Sequence, residues 1–132
     1  MSKIERDRIE LGEISKFLKR IGNEDGALSK YFKKEGAADR VKRIFFDNDV
    51  NYKDDYGLRL YCMRVSENIA ILFNGCRKTA QKAQDCNNCS GYFESANKIA
   101  KAIDAAFYFK YLEIEDTFFI SVDPAFSLKI EL

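Results

Sequence analysis

The side chains in this sequence that could do chemistry are cationic and phenolic. Arg59 and Arg64 lie within one strand-like run, Arg77 and Lys78 directly follow the next, and Tyr92 opens a helical pattern. Arginine and lysine at such positions can hold a phosphate and stabilise the charge that develops during its transfer. The chain has no histidine, so catalysis would have to use Arg, Lys, Tyr, Asp, Glu or Cys. The sequence also lacks the glycine-rich phosphate loops and the nucleophile elbow.

A structural role for these cations is the competing interpretation. Arginine and lysine along the edge of a sheet usually serve solvation and prevent pairing with other chains. Strict alternation would place Arg59 and Arg64 on opposite faces of their strand. Arg59 would meet Arg77 and Lys78 only if the exit of the second strand folds back beside it. Spacing by itself therefore favours the structural role.

Four cysteines offer a second kind of site. Cys86 and Cys89 form a C-x-x-C pair, Cys76 lies ten residues before it, and Cys62 lies in the first strand-like run. Four thiolates could hold zinc without histidine, but such sites usually contain two C-x-x-C pairs. A redox C-x-x-C is less favoured, because no βαβ pattern surrounds it. We therefore expect Cys62 to be a buried free thiol, no metal or other cofactor, and a reduced, cytoplasmic protein.

A predicted β-hairpin organises these candidate residues. Residues 58–65 alternate loosely, a polar Ser-Glu-Asn turn follows, and 69–73 form a continuous apolar run that is too short for an ordinary helix. Two β-rich segments joined by three turn-type residues predict adjacent antiparallel strands over 58–65 and 69–74. We expect both faces of the second strand to be covered, with Ile71 and Phe73 buried, because this run would otherwise leave an exposed apolar patch.

Helical patterns flank the hairpin. Apolar residues recur at helical spacing over 9–21 and, most clearly, over 92–112. Residues 3–11 could instead form an edge strand, and 26–36, bracketed by glycines, predict a short helical or irregular piece. Residues 47–57 are polar and turn-rich, which predicts the loop that enters the hairpin.

Two short alternating runs close the chain. Residues 118–122 and 126–130 predict strands, and the Asp-Pro between them predicts a turn. The element order of helices, hairpin, helix and strands predicts an α+β fold in one domain, residues 1–132. The expected architecture is a small antiparallel sheet with helices packed on one face.

Charge is distributed unevenly along the chain, although the formal net charge is only +1. Residues 1–55 carry a net charge of +1, residues 56–110 carry +4 and residues 111–132 carry −4. A polyanionic partner would therefore choose the middle of the chain and avoid its acidic end. No apolar run approaches the length of a membrane span, and the charged N-terminus does not resemble a signal peptide.

The central segment GLRLYCMRVSENIAILFNGCRKTAQKA, together with SANKIAKAI, resembles the RelE/ParE/HigB superfamily of toxins from toxin–antitoxin pairs. The likeness is to the HigB branch, in which an apolar strand and a glycine turn precede a basic Lys/Arg-Lys-Thr element and a helix. The resemblance implies helices on a small antiparallel sheet and the activity of a ribosome-dependent mRNA endonuclease. It also implies two partners: an antitoxin, expected to be a helix-turn-helix protein, and mRNA on the ribosome.

The resemblance also assigns site residues. The implied catalytic residues are Arg59, Arg77, Lys78 and Tyr92, and the implied RNA-binding residues are Lys33, Lys34, Lys53 and Arg64. A 2′-hydroxyl would attack the adjacent phosphate, cations would stabilise the pentacovalent phosphorus, and Lys or Tyr would replace histidine in proton transfer. Two alternatives stay open: a non-catalytic inhibitor or binding protein on the same scaffold, as in the gyrase-poisoning ParE toxins, and a zinc-stabilised interaction module.

Overall fold

The computed structural model of the protein describes residues 2–43, 57–78, 87, 89–115, 118–123, 125, 127–128 and 130. Two helices and six strands lie in this part of the chain. Their bounds are Lys3–Arg20 for α1, Phe32–Glu35 for β1, Ala38–Val41 for β2, Gly57–Ser66 for β3, Ile69–Lys78 for β4, Ser90–Tyr108 for α2, Leu112–Glu115 for β5 and Phe118–Ser121 for β6. The predicted α+β class is confirmed.

α1 begins earlier than its apolar pattern predicts. The Ser2 hydroxyl accepts a hydrogen bond from the Glu5 backbone N–H, and the Glu5 carboxylate accepts one from the Ser2 backbone N–H. This capping box satisfies N–H groups that have no partner within the helix, so residues 3–11 are helical and not an edge strand. A π-helical turn at Ile21–Asp25 follows α1, and Gly26 ends it with a φ of 78°, which favours glycine.

β1 to β4 form a four-stranded antiparallel sheet in the order β1-β2-β3-β4. The predicted hairpin is confirmed as β3 and β4, and each strand is ten residues long. β4 does not end at Asn74, as the sequence predicts, but continues through Gly75. Only glycine fits there without a backbone shift, because an added Cβ would lie 2.4 Å from the Arg59 carbonyl oxygen.

A β-bulge changes which side chains of β4 share a face. Tyr61 opposes Asn74 whereas Cys62 opposes Leu72, which leaves Phe73 as an extra residue in β4. Before the bulge, odd-numbered residues of β4 share the face of Tyr61; after it, even-numbered residues do.

Each face of the sheet is covered by a different helix. Phe17 of α1 packs in one core with Cys62 of β3, and Ala100 of α2 packs in a second core with Tyr61 of β3. Tyr61 and Cys62 are consecutive residues of a strand, so their side chains point to opposite faces. The prediction that the helices pack on one face is therefore wrong, because β3 is apolar on both faces and each face needs cover. We call the two sides of the sheet the α1 face and the α2 face.

β4 is an edge strand and is less buried than predicted. Ile71 and Phe73 are half-buried against the core of the α2 face rather than fully buried. Leu72 points to the α1 face and is 50% exposed. The continuous apolar run predicts cover on both faces, and the exposure of Leu72 shows that this prediction is wrong.

α2 confirms the predicted second helix, with ends that differ by a few residues. It spans Ser90–Tyr108, and Cys89 is the residue at its N-cap. Three small residues, Ala96, Ala100 and Ala106, are buried along the helix and allow a close approach to the sheet. Neither of the helices in the described part of the chain is long and apolar enough to cross a membrane.

The two strands ahead of the hairpin are not predicted by the sequence. β1 and β2 pair antiparallel around Gly36, with Lys33 opposite Arg40. The sequence predicts a short helical or irregular piece over 26–36, and within it only the 3₁₀ turn Ser29–Tyr31 is helical. Charged residues fill both strands, so the alternation that indicates a strand is absent. The predicted loop over residues 47–57 lies, up to residue 56, outside the described residues.

The C-terminal hairpin uses a different partner from the predicted one. Residues 118–121 form β6, which pairs with β5 and places Glu115 opposite Phe118. The sequence instead predicts a strand over 126–130, but residues 127, 128 and 130 lie outside strands.

Candidate functional site

The hairpin brings Arg59 and Lys78 to one end of the sheet. Arg59 opposes Cys76 across the β3–β4 ladder, and Gly57 opposes Lys78. Cys76 packs against the core of the α2 face. Because Lys78 is two residues beyond Cys76, and opposed residues share a face, Arg59 and Lys78 both belong to the α2 face. The sequence left their proximity as an assumption, and the strand register provides it.

β1 and β2 add further charged residues to this end of the α2 face. Arg40 opposes Tyr61 on one side and Lys33 on the other. The Arg40 Nε lies 2.6 Å from Oε1 of Glu35, and both side chains are largely buried. We call Lys33, Arg40, Arg59, Lys78 and Glu35 the cationic cluster. Arg40 and Glu35 were missed as site residues, because no sequence pattern indicated the strands that carry them.

Burial and repulsion between neighbouring cations disfavour the charged forms of Arg59 and Lys78 in the cationic cluster. Burial, followed by the charges of Arg40 and Arg43, lowers the pKa of Arg59 to about 10. The Nε of Arg59 is buried and has no hydrogen-bond partner among the described residues. Lys78 also has a lowered pKa, first through burial and then through Arg59, Arg40 and Lys33, against the opposing effect of Glu35. A bound anion would relieve this repulsion.

Arg77 lies on the opposite side of the sheet from Lys78. Arg77 is only 9% exposed, and its guanidinium donates hydrogen bonds to Asp7 and Glu10 of α1. The bond from Arg77 Nε to Asp7 Oδ1 is 2.9 Å long. Glu10 is also paired with Arg43, whose Nη2 lies 3.1 Å from Glu10 Oε1. We call Asp7, Glu10, Arg43 and Arg77 the buried ion network, and its two cations meet two carboxylates.

Tyr92 lies in the first turn of α2, with its side chain 52% exposed. Its backbone carbonyl accepts a 3.1 Å hydrogen bond from Nδ2 of Asn74 in β4. Arg64 belongs to the α1 face, where its Nε donates a 2.6 Å bond to the Ala27 carbonyl oxygen. The predicted opposite orientation of Arg59 and Arg64 is thus confirmed.

The lysines assigned to RNA binding separate in the structure. Lys33 and Lys34 are consecutive in β1 and exposed, so they point to opposite faces. Lys33 joins the cationic cluster, whereas the Lys34 Nζ lies 3.3 Å from Oδ1 of Asp39. Lys53 lies outside the described residues.

Cys76 and Cys89 form a disulfide, so the prediction that the cysteines stay reduced is wrong for this pair. The disulfide joins β4 to the N-cap of α2 and fixes the start of the helix beside the Arg59–Cys76 pair. Cys62 is a buried free thiol as predicted, and burial, reinforced by Asp39, raises its pKa to about 12. Cys86 lies outside the described residues. Among the described residues, no group of three potential metal ligands occurs.

No protein-family model, no curated protein and no solved structure matches this chain. The resemblance to the RelE/ParE/HigB toxins therefore stays a prediction from the sequence motif.

Proposed function

We propose that the protein binds the phosphodiester backbone of RNA at the cationic cluster and cleaves it, acting as an mRNA endonuclease toxin of the RelE/ParE/HigB type. The observation that supports this most strongly is the convergence of Lys33, Arg40, Arg59 and Lys78 near Glu35. Burial and neighbouring cations lower the pKa values of Arg59 and Lys78, and a bound phosphate would stabilise their charged forms.

The cleavage step uses groups that are present in the cluster. The 2′-hydroxyl oxygen attacks the adjacent phosphorus and loses its proton to the Glu35 carboxylate, and the P–O5′ bond breaks. The guanidinium groups of Arg40 and Arg59 stabilise the pentacovalent phosphorus, since their planar donors match its oxygens. Lys78, whose pKa is lowered, donates a proton to the departing 5′ oxygen. The products are a 2′,3′-cyclic phosphate and a 5′-hydroxyl.

Purified protein incubated with mRNA and ribosomes tests this chemistry. We expect Arg59→Gln and Lys78→Met each to lower the cleavage rate by about 10²–10³, the usual effect of removing a group that stabilises transition-state charge. Lys19→Met is the matched control, because Lys19 is an exposed cation of α1, on the other side of the sheet. Equal loss in the control, or cleavage that survives both cluster variants, would contradict the assignment.

Binding to RNA oligonucleotides gives a second readout. The logarithm of the association constant should fall linearly with the logarithm of salt concentration, because bound cations release counterions from phosphates. Lys33→Met should reduce this slope by roughly one contact, or about 0.7 for single-stranded RNA. An affinity that does not depend on salt would exclude the cationic cluster as a phosphate site.

Controlled expression in a bacterial host tests the toxin role. We expect growth arrest together with cleaved transcripts, and relief when a small helix-turn-helix antitoxin encoded beside the gene is expressed as well. Growth arrest with intact transcripts would favour the non-catalytic inhibitor instead. Normal growth at full expression would show that the scaffold is present without the toxin activity.

A further inference from the structure

The outer edge of β4 is a long sheet edge without the usual protection. In the order β1-β2-β3-β4, β4 pairs with β3 on one side only. Among the described residues, no other segment hydrogen-bonds to the backbone of residues 69–76. This stretch contains no charged residue and no proline. Long, uncharged edge strands are templates for pairing with a further strand.

The other edge of the same sheet, β1, is protected. β1 is only four residues long, and three of the four, Lys33, Lys34 and Glu35, are charged. Short strands and charged side chains are common devices that prevent edge-to-edge pairing. The contrast between the two edges indicates that β4, and not β1, is the edge available to a further strand.

The edge of β4 carries an exposed apolar side chain beside an apolar groove. Leu72 points to the α1 face and is 50% exposed. On the same face lies an open groove of about 560 Å³, whose walls include Leu11, Ile14, Leu58, Leu60 and Gly75. Gly75 is exposed and has no side chain that would fill the groove at the edge of the sheet.

The β-bulge makes β4 complementary to a second copy of itself. When two β4 strands pair antiparallel over their full length, residue 69 of one opposes residue 78 of the other, and Leu72 opposes Gly75. In a regular strand, residues three apart point to opposite faces, so a two-fold axis perpendicular to the sheet could not bring them opposite each other. The extra residue Phe73 places both on the α1 face. Each Leu72 would then lie about 5 Å from Gly75 of the second copy, at the opening of its groove.

Electrostatic repulsion does not oppose this register. Arg77 and Lys78 of one copy would lie opposite Ala70 and Ile69 of the other, at the two ends of the joined strands. Along the strands, the cations of the two copies are then more than about 20 Å apart. This separation exceeds the distance of about 8 Å over which exposed charges interact at physiological salt.

We propose that the edge of β4 is a self-association surface and that its partner is a second copy of this chain. Two copies join their four-stranded sheets into one antiparallel sheet, with both α1 helices on one face and both α2 helices on the other. Backbone hydrogen bonds link residues 69–76 of the two strands, and each Leu72 side chain is removed from water. The surface does not depend on the RNA chemistry proposed above.

Sedimentation equilibrium of the wild-type protein between about 1 and 200 µM measures the association. We expect the mass to rise with concentration from that of one chain, 15.2 kDa, towards twice this value. Leu72→Lys should weaken the dimer by about tenfold or more, because each copy then places a charge against the apolar groove of the other. Leu128→Lys is the matched control and should leave association unchanged. Leu128 is 39% exposed and lies beside Ala102 and Ala106 of α2, away from β4.

Amide hydrogen exchange identifies the surface in the wild-type protein. Residues 71–76 should exchange more slowly at high protein concentration than at low concentration. Residues 32–35 of β1 should exchange at the same rate at both concentrations. The exchange measurement decides the question even if Leu72→Lys does not fold, which far-UV circular dichroism checks.

Three results would overturn the proposal. The first is a wild-type protein that keeps the mass of one chain throughout this range, which would leave the edge of β4 to a strand of another protein. The second is a dimer in which exchange over residues 71–76 does not depend on concentration. The third is a dimer that folded Leu72→Lys forms as tightly as wild type, or that Leu128→Lys weakens equally, because the contact would then lie elsewhere on the molecule. Loss of RNA cleavage or binding would affect none of these outcomes.

Discussion

On the α1 face of the sheet, two buried arginines are paired with carboxylates, whereas at the end of the α2 face neighbouring cations lower the pKa values of Arg59 and Lys78. Arg77 and Arg43 of the α1 face meet Asp7 and Glu10 of α1 in the buried ion network. Each guanidinium there replaces the water that it loses on burial by hydrogen bonds to carboxylates. The network joins α1 to the sheet and has a structural role.

The cationic cluster contains the same types of residue in different surroundings. Arg40 is paired with Glu35, and burial together with neighbouring cations lowers the pKa values of Arg59 and Lys78. Folding therefore brings these charges together against their mutual repulsion. Such an arrangement destabilises the free protein and is typical of a site that binds an anion. The two faces therefore give arginines of one sequence motif different surroundings, which the following predictions test.

Arginine-to-methionine substitutions on the two faces should change stability in opposite directions. Arg77→Met removes a buried cation from the network and leaves the Asp7 carboxylate and one side of Glu10 without it. We expect the free energy of unfolding to fall by about 3–5 kcal/mol, the usual cost of breaking a buried ion pair. Urea unfolding measures it, with Lys19→Met as the control that should change stability by less than about 0.5 kcal/mol. A loss below about 1 kcal/mol would remove the structural role assigned to the network.

The amide of Asn97 is one of the links between α2 and the sheet. Asn97→Ala would leave the backbone N–H groups of Ala37 and Ala38 without their acceptor and remove the 2.8 Å bond to the Phe93 carbonyl. We expect a loss of about 2 kcal/mol in thermal or urea unfolding. Lys101→Ala, an exposed position of the same helix, should be within about 0.5 kcal/mol of wild type. Equal effects of the two substitutions would contradict this account of α2.

Arg59→Met is the counterpart of Arg77→Met, but it should raise the free energy of unfolding rather than lower it. The charged form of Arg59 is disfavoured by burial and by neighbouring cations, so an apolar side chain should raise the free energy of unfolding by roughly 1 kcal/mol. RNA binding should weaken at the same time. A variant that is less stable than wild type by more than about 1 kcal/mol would place Arg59 among the structural arginines.

The smallest expected effect is the pH dependence of the stability difference between the wild type and Arg59→Met. Because the pKa of Arg59 is lowered to about 10 in the folded state, the unfolded chain binds more protons above this pH. Stability of the wild type therefore rises relative to Arg59→Met as pH increases through about 10. Urea midpoints of the two proteins should converge between pH 8 and about 11, whereas a gap that widens would show that the sign is wrong.

Local patterns in the sequence were sufficient to predict several elements of this protein. The Ser-Glu-Asn turn between two β-rich runs predicted the hairpin of β3 and β4, and the helical periodicity from residue 92 predicted α2. Cys62 was predicted as a buried thiol because it lies within an apolar strand. Such features depend on neighbours within a few positions, and the period of the pattern identifies them.

The tertiary structure decided which cations share a site. β1 and β2 carry Lys33, Glu35 and Arg40, and they join the sheet because β2 pairs with β3 and β1 pairs with β2. The disulfide likewise joins β4 to a helix that begins a dozen residues later in the chain. Both depend on contacts between distant segments, for which local spacing gives no signal.

The orientation of Arg77 and Lys78 is the clearest case of a feature that only the tertiary structure determines. The sequence establishes that two cations follow an apolar strand, and strict alternation from Ile71 would point Arg77 to the α2 face and Lys78 away from it. The bulge at Phe73 reverses this order, because one extra residue exchanges the faces of every side chain beyond it. The sequence determined the cations, and the bulge determined that Lys78 joins Arg59 while Arg77 joins α1.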